Sequence, residues 1–116
     1  MYDEHRNCPQ TRPHLSPLED DVYIVVSEAA WIDIASYGVH KGSTVQKLQQ
    51  IFKVSRKETM AFGDGYNDLE LLAQADYSFA MRNAFEEVKN AARFVTGTND
   101  ENAVTETIRR ILALQA

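Results

Sequence analysis

Residues 61–69 read AFGDGYNDL, and this stretch decides the fold. Small and apolar residues run from Thr59 to Phe62 into a Gly-Asp-Gly turn, and Leu69 to Ala75 follows as a Leu-rich segment. The pattern predicts a short buried strand, a turn that carries acids, and a helix. In open α/β sheets, ligands bind beyond the carboxyl ends of the strands, where loops stand on a rigid base. Asp64 falls at that edge, and Asp68 follows four residues later.

Working outward toward the C-terminus, Tyr77 to Met81 reads as a second strand. Asn83 with Glu86 has the spacing of a capping box and is expected to open a helix through Ala92. Arg93 to Thr96 supplies a third strand. Thr98 with Glu101 forms another box ahead of a helix whose Val104, Ile108, Ile111 and Leu112 recur as one apolar stripe. Toward the N-terminus, Val45, Leu48, Ile51 and Phe52 mark an amphipathic helix with Ser43 as its expected cap. Before it, the β-branched run Val22 to Val26 and the segment Trp31 to Ile34 read as two strands, a hairpin by their proximity. Strands separated by helices imply parallel pairing with right-handed crossovers. The fold class is therefore α/β: a partial doubly wound, Rossmann-like parallel sheet with flanking helices.

The chain has 116 residues, the size of one domain, with 44% hydrophobic and 25% charged residues. A net charge of -5 gives no basic footprint for nucleic acid or an anionic membrane, so neither is expected as a partner. Cys8 is the single cysteine, which excludes an internal disulfide and fits a reducing compartment, with cytoplasm expected. No stretch has the apolar length of a membrane span. All three prolines (Pro9, Pro13, Pro17) lie in Met1 to Asp21, which lacks apolar periodicity and is expected to be a mobile arm. His5, Cys8 and His14 gather there at a spacing that matches no standard zinc pattern.

Asp64 and Asp68, joined through Gly65 and Asn67, are suited to converge on a hard cation such as Mg2+, which prefers oxygen ligands. The helix beginning near Asn67 offers backbone N–H groups to an anion. A plainer reading also fits: Asp64 and Asn67 shape a turn, and Asp68 favours a helix N-terminus. A calcium loop fits less well, because Tyr66 and Leu69 occupy ligand places. Lys41, followed by Gly42 at the mouth of the amphipathic helix, is a second polar candidate; a lone Lys is ordinarily a solvated charge.

Lys41-Gly42, a helix, a strand, GDGYND, a helix, a strand ending at Met81 and then Asn83-Ala84 together resemble the haloacid dehalogenase-like hydrolases. More closely, they resemble the C-terminal half of the Cof-type phosphatases, which carry a large inserted cap. The resemblance runs from about Trp31 to Leu112. It implies phosphoryl transfer from a small phosphomonoester, sugar phosphates included at the level of the family, to an Asp nucleophile, and hydrolysis of the aspartyl-phosphate with Mg2+. By this resemblance Asp64 ligates Mg2+, Asp68 holds it through water or an indirect contact, and Gly65 assists through its peptide group. Lys41 and Asn67 would bind the phosphate.

The departures matter as much. The nucleophile of such enzymes lies in a D-x-D motif, and none of the aspartates here forms one. No counterpart of the family's Ser/Thr phosphate motif is recognisable. Glu101-Asn102-Ala103-Val104 stands where E-D-G-V is usual, and Arg93 where Asp is common. The implied organisation is an arm (1–21), remnant cap strands (22–38) and the C-terminal half of the core (39–116). No catalytic nucleophile is assigned, and the chain is expected to be inactive alone. A non-enzymatic module that joins another chain, or weakly binds metal or phosphate, is the alternative. In the family the nucleophile strand lies beside the strand of Thr59 to Phe62, so that edge is expected to be open. Homo-oligomerisation through it is the first expectation, a complementary chain the second, and cover by the arm the third.

Overall fold

The computed structural model describes residues 1–115. Strand β1 (Val22–Glu28) and β2 (Trp31–Ser36) form an antiparallel hairpin, and β3 (Met60–Gly63), β4 (Tyr77–Ala80) and β5 (Phe94–Val95) form a parallel sheet in the order β3-β4-β5. Helices α1 (Cys8–Thr11), α2 (Lys41–Phe52), α3 (Leu69–Leu72), α4 (Glu86–Ala91) and α5 (Ala103–Gln115) complete the architecture. Parallel neighbours need a crossover, and α3 and α4 supply the two within the sheet. The α/β class read from the sequence is the observed one. No described helix is long and apolar enough to cross a membrane.

The sheet core is built from small side chains. Ala61, Ala75, Ala80, Ala84 and Ala103 are buried with Leu72, Met81 and Val88. Phe62, Phe79 and Phe94 stack across β3, β4 and β5 with centroids 5.1 and 5.2 Å apart. Small residues let helices approach the sheet closely but bury little area each. One polar side chain spans the layers: the Nε2 of buried Gln49 donates to Thr59 Oγ1 at 2.9 Å and to the Gln74 carbonyl at 2.8 Å, tying α2 to both ends of the β3–α3 unit.

Several local expectations change in the folded chain. Helix α2 is capped by His40, whose Nδ1 accepts the Ser43 N–H at 3.1 Å. Ser43 serves at the reciprocal position, its Oγ accepting the His40 N–H, and is not the cap. Asn83 does not cap α4, which starts at Glu86 after Phe85 with no side-chain cap, because a turn closed by Ala84 N–H to the Met81 carbonyl occupies the intervening residues. Thr98 and Glu101 do form their reciprocal box, but on a 3-10 turn, and Asn102 at φ 53° separates that turn from α5.

The apolar stripes of α2 and α5 face outward. Leu48, Ile51 and Phe52 are exposed, Phe52 at 68%, because α2 turns Gly42 and Gln49 inward. On α5 only Ala103 is buried, while Val104, Ile108 and Leu112 remain exposed. β3 is an edge strand, with β4 on one side and no strand among the described residues on the other.

The first 21 residues depart from the expectation of an arm without fixed contacts, and their main-chain bonds run to the hairpin. Tyr2 bridges to Trp31, and the Met1 ammonium donates to the Ile32 carbonyl at 2.7 Å. Cys8 is fully buried against Ile24 and Ile32, with Leu15 packed beside them. The low apolar content of this segment hid its docking because a single buried thiol and main-chain bonds to the hairpin hold it.

Gly42 sets how closely α2 meets α3. A Cβ there would lie 2.5 Å from the Glu70 carbonyl oxygen, a main-chain atom that cannot swing away. Gly42→Ala is expected to lower stability by about 1–3 kcal/mol through overpacking. Urea denaturation checks it: an unchanged midpoint would contradict the contact.

Candidate active site

β3 ends at Gly63, and the chain must turn at once so that Asp68 can fold back beneath the turn. A Cβ on Gly63 would meet the Asp68 Cβ at 2.7 Å, so glycine is required by close approach. Asp68 is buried, and its oxygens are spent on two loop amides and on Lys41. Oδ2 accepts the N–H groups of Asp64 at 3.0 Å and Gly65 at 3.1 Å, and Oδ1 accepts Lys41 Nζ at 2.5 Å. The Asp68 N–H in turn donates to the Gly65 carbonyl at 3.0 Å. Burial alone would raise the Asp68 carboxyl, but the Lys41 ammonium and the two amides stabilise its anion and hold it below the usual carboxylate range.

The five residues singled out from the sequence therefore meet, in unequal roles. Asp64, Gly65, Asn67, Asp68 and Lys41 line one cleft of about 510 Å³ at the carboxyl end of β3. The Asp64 side chain is exposed and, among the described residues, has no hydrogen-bond or ion-pair partner. It is the carboxylate available to a cation. Both peptide groups of Gly65 are engaged by Asp68, so Gly65 acts in shaping the loop. Lys41, about half exposed, keeps N–H donors beyond the one given to Asp68. Asn67 is steered from the hairpin, its Nδ2 donating to Asp33 Oδ2 at 3.4 Å.

Other lining residues had no site role assigned from the sequence. Asn83 and Phe85 enter from the loop after β4, and Phe85 stacks on Tyr66 with centroids 4.6 Å apart. Their signal was present: β4 lies parallel to β3, so its following loop must emerge beside the Gly-Asp-Gly turn. Arg6, Ser27, Glu28 and Ala29 enter from the N-terminal segment and the hairpin. Nothing local in the sequence marks them. A separate contact locks the hairpin to the core: Tyr23 Oη donates to Glu70 Oε1 at 2.9 Å. Burial and the Glu70 carboxylate together push the Tyr23 phenol above its usual range.

Because the folded Asp68 carboxyl lies below its unfolded value of 3.8, its anion contributes stability that is complete above pH 3.8 and lost as pH falls through the folded value. Asp68→Asn is accordingly expected to be destabilised at neutral pH and to converge with the parent protein below pH 3.8. Thermal melts from pH 7 downward test this. A constant gap down to pH 2 would place the stabilising charge elsewhere.

Residues 1–108 match the family described as haloacid dehalogenase-like hydrolase, a match that reaches well before the motifs legible from Trp31 onward. The 5-amino-6-(5-phospho-D-ribitylamino)uracil phosphatase of Escherichia coli is 36% identical over 109 residues, covering 93% of this chain and 40% of the relative. A Streptococcus mutans protein of known crystal structure superposes with a TM-score of 0.85 at 34% identity, covering 97% of this chain and 42% of that one. A subclass IIB sugar phosphatase of the same superfamily superposes with a TM-score of 0.81 at 29% identity, covering 89% and 40%. The chain thus spans about two fifths of the length of these relatives. The chain belongs to the haloacid dehalogenase-like hydrolases.

Proposed function

We propose that these 116 residues are the phosphate- and metal-holding part of a Mg2+-dependent phosphatase acting on small phosphomonoesters, including sugar phosphates. The observation that carries this reading is the convergence of Lys41, Asn67 and the unpaired Asp64 carboxylate on one cleft. The names of the relatives, one a phosphatase of a ribityl phosphate and one a sugar phosphatase, support the substrate class.

The residues fit a hard cation in kind, since Asp64 offers an uncommitted carboxylate among oxygen and amide donors. They do not complete its shell: among the described residues, no three acidic, imidazole or thiol groups come together. When bound, Mg2+ would neutralise charge developing on the transferring phosphoryl group. Lys41 supplies positive charge to the phosphoryl oxygens, and its bond to Asp68 fixes where that charge sits. Asn67, aligned by Asp33, orients an oxygen through its amide. Asp68 positions and does not react.

The sequence holds no D-x-D nucleophile, so on this reading the 116 residues alone do not turn over. Removal of a nucleophile costs orders of magnitude in rate. With an aryl phosphate and Mg2+, the purified chain is expected to show no hydrolysis above background. Mn2+ is expected to broaden amide signals around residue 64, and Asp64→Ala to abolish that effect more fully than Asp68→Asn. Turnover that disappears in Asp64→Ala, or equal loss of broadening in both variants, would overturn these assignments.

A second reading, a non-enzymatic module that acts by joining another chain, is favoured by the open β3 edge and the outward apolar stripes. An unpaired strand edge beside apolar surface recruits another strand. Self-association through this edge is the expected state, and a complementary chain is the other candidate. Light scattering of the isolated chain should give at least twice the monomer mass. A monodisperse monomer with Ala61 and Phe62 amides protected from exchange would refute it.

A further inference from the structure

Beyond the phosphate-holding residues, the cleft carries two opposite charges that the reading above leaves unused. Arg6 and Glu28 both line it, both are exposed, and among the described residues neither forms an ion pair. Arg6 is not loosely placed. Its backbone sits at φ 57°, a left-handed conformation uncommon for a side chain of this size. The surrounding structure enforces that conformation. Asp3 accepts the N–H groups of His5 and Asn7 through its two carboxylate oxygens at 2.9 and 3.0 Å, and the Arg6 N–H donates to the Asp3 carbonyl at 3.0 Å. Two further main-chain bonds, from Asp3 N–H to the Ala30 carbonyl and Cys8 N–H to the Ala29 carbonyl, clamp this turn onto the hairpin tip. Buried Cys8 anchors it from beneath. Arg6 is thus presented beside the hairpin end that carries Ser27 and Glu28.

We infer that Arg6 and Glu28 are specificity-determining residues that read the leaving group of the phosphomonoester and favour a neutral, polyhydroxylated chain over a second anion. The inference rests on the phosphate site proposed above. Its basis is charge and hydrogen-bonding type. Lys41 is engaged by Asp68 and the phosphoryl oxygens, and Asp64 is reserved for a cation, so among the described lining residues Arg6 and Glu28 are the charges left to meet the rest of the substrate. A guanidinium only donates and a carboxylate only accepts, whereas a hydroxyl does both. A chain of hydroxyls satisfies the two together. A carboxylate or second phosphate would satisfy Arg6 but face Glu28 with like charge.

Titrating the full chain with D-ribitol 5-phosphate, 2-phosphoglycolate and inorganic phosphate, while following the amides of residues 64–67, tests this. Ribitol phosphate is expected to bind more tightly than phosphoglycolate. Arg6→Gln should lower the ratio of ribitol phosphate to inorganic phosphate affinity by about tenfold, the loss of one or two charge-assisted hydrogen bonds. Glu28→Gln should instead raise phosphoglycolate affinity, a gain that mere disruption of the hairpin would not produce. Unchanged ratios in both variants, or preference of the parent protein for phosphoglycolate, would overturn the inference alone, provided inorganic phosphate still shifts residues 64–67 and Lys41→Ala removes that shift. Absence of any shift with all three probes would overturn the phosphate site and this inference with it.

Discussion

Lys41 reaches from the first turn of α2 to the buried carboxylate of Asp68, and this contact fixes the geometry of the site. A carboxylate out of water is costly unless its charge and lone pairs are met, and here one ammonium and two loop amides meet them. The same contact couples two segments 27 residues apart. It holds only if α2 and α3 approach closely, which Gly42 permits by placing no side chain against Glu70. Removing either partner would leave the other with an unbalanced charge, so the pair acts as one unit.

Around this centre, polar links do what apolar burial does in larger cores. The buried side chains of the sheet layer are mostly alanines, and the long apolar residues of α2 and α5 lie outside it. The radius of gyration, 15.8 Å, exceeds the roughly 13 Å of a compact domain of this length. Gln49 bridging Thr59 and Gln74, Tyr23 bonding Glu70, and the Thr96–Thr107 hydroxyl pair at 2.7 Å therefore carry much of the relation between elements. Such bonds specify geometry well but contribute only about 1 kcal/mol each to stability.

The hairpin and the N-terminal segment form a second body of contacts with their own small core of Cys8, Ile24 and Ile32. They touch the site through Asn67, held by Asp33, and through Ser27, Glu28 and Arg6 on the cleft wall. The acidic and basic floor of the cleft thus comes from β3, α2 and the turn after β3, while much of its outer wall comes from the hairpin side.

The sequence by itself determined the elements whose cause is local. The buried strand into Gly-Asp-Gly, the alternation of strands and helices, the hairpin of β-branched runs and the grouping of Asp64, Asn67 and Asp68 all follow from periodicity, turn chemistry and short spacing. Lys41 was legible only through its pattern with those residues. Tertiary structure alone decided which face of α2 turns inward, since close approach at Gly42 outweighed the apolar stripe. It also released Asn83 from the expected cap to the cleft wall and docked residues 1–21 on the hairpin. Finally, it divided the two aspartates: Asp68 is satisfied by a lysine far away in sequence, and Asp64 is left open. Local spacing brings two carboxylates together, but which one is free depends on partners that only the folded chain supplies.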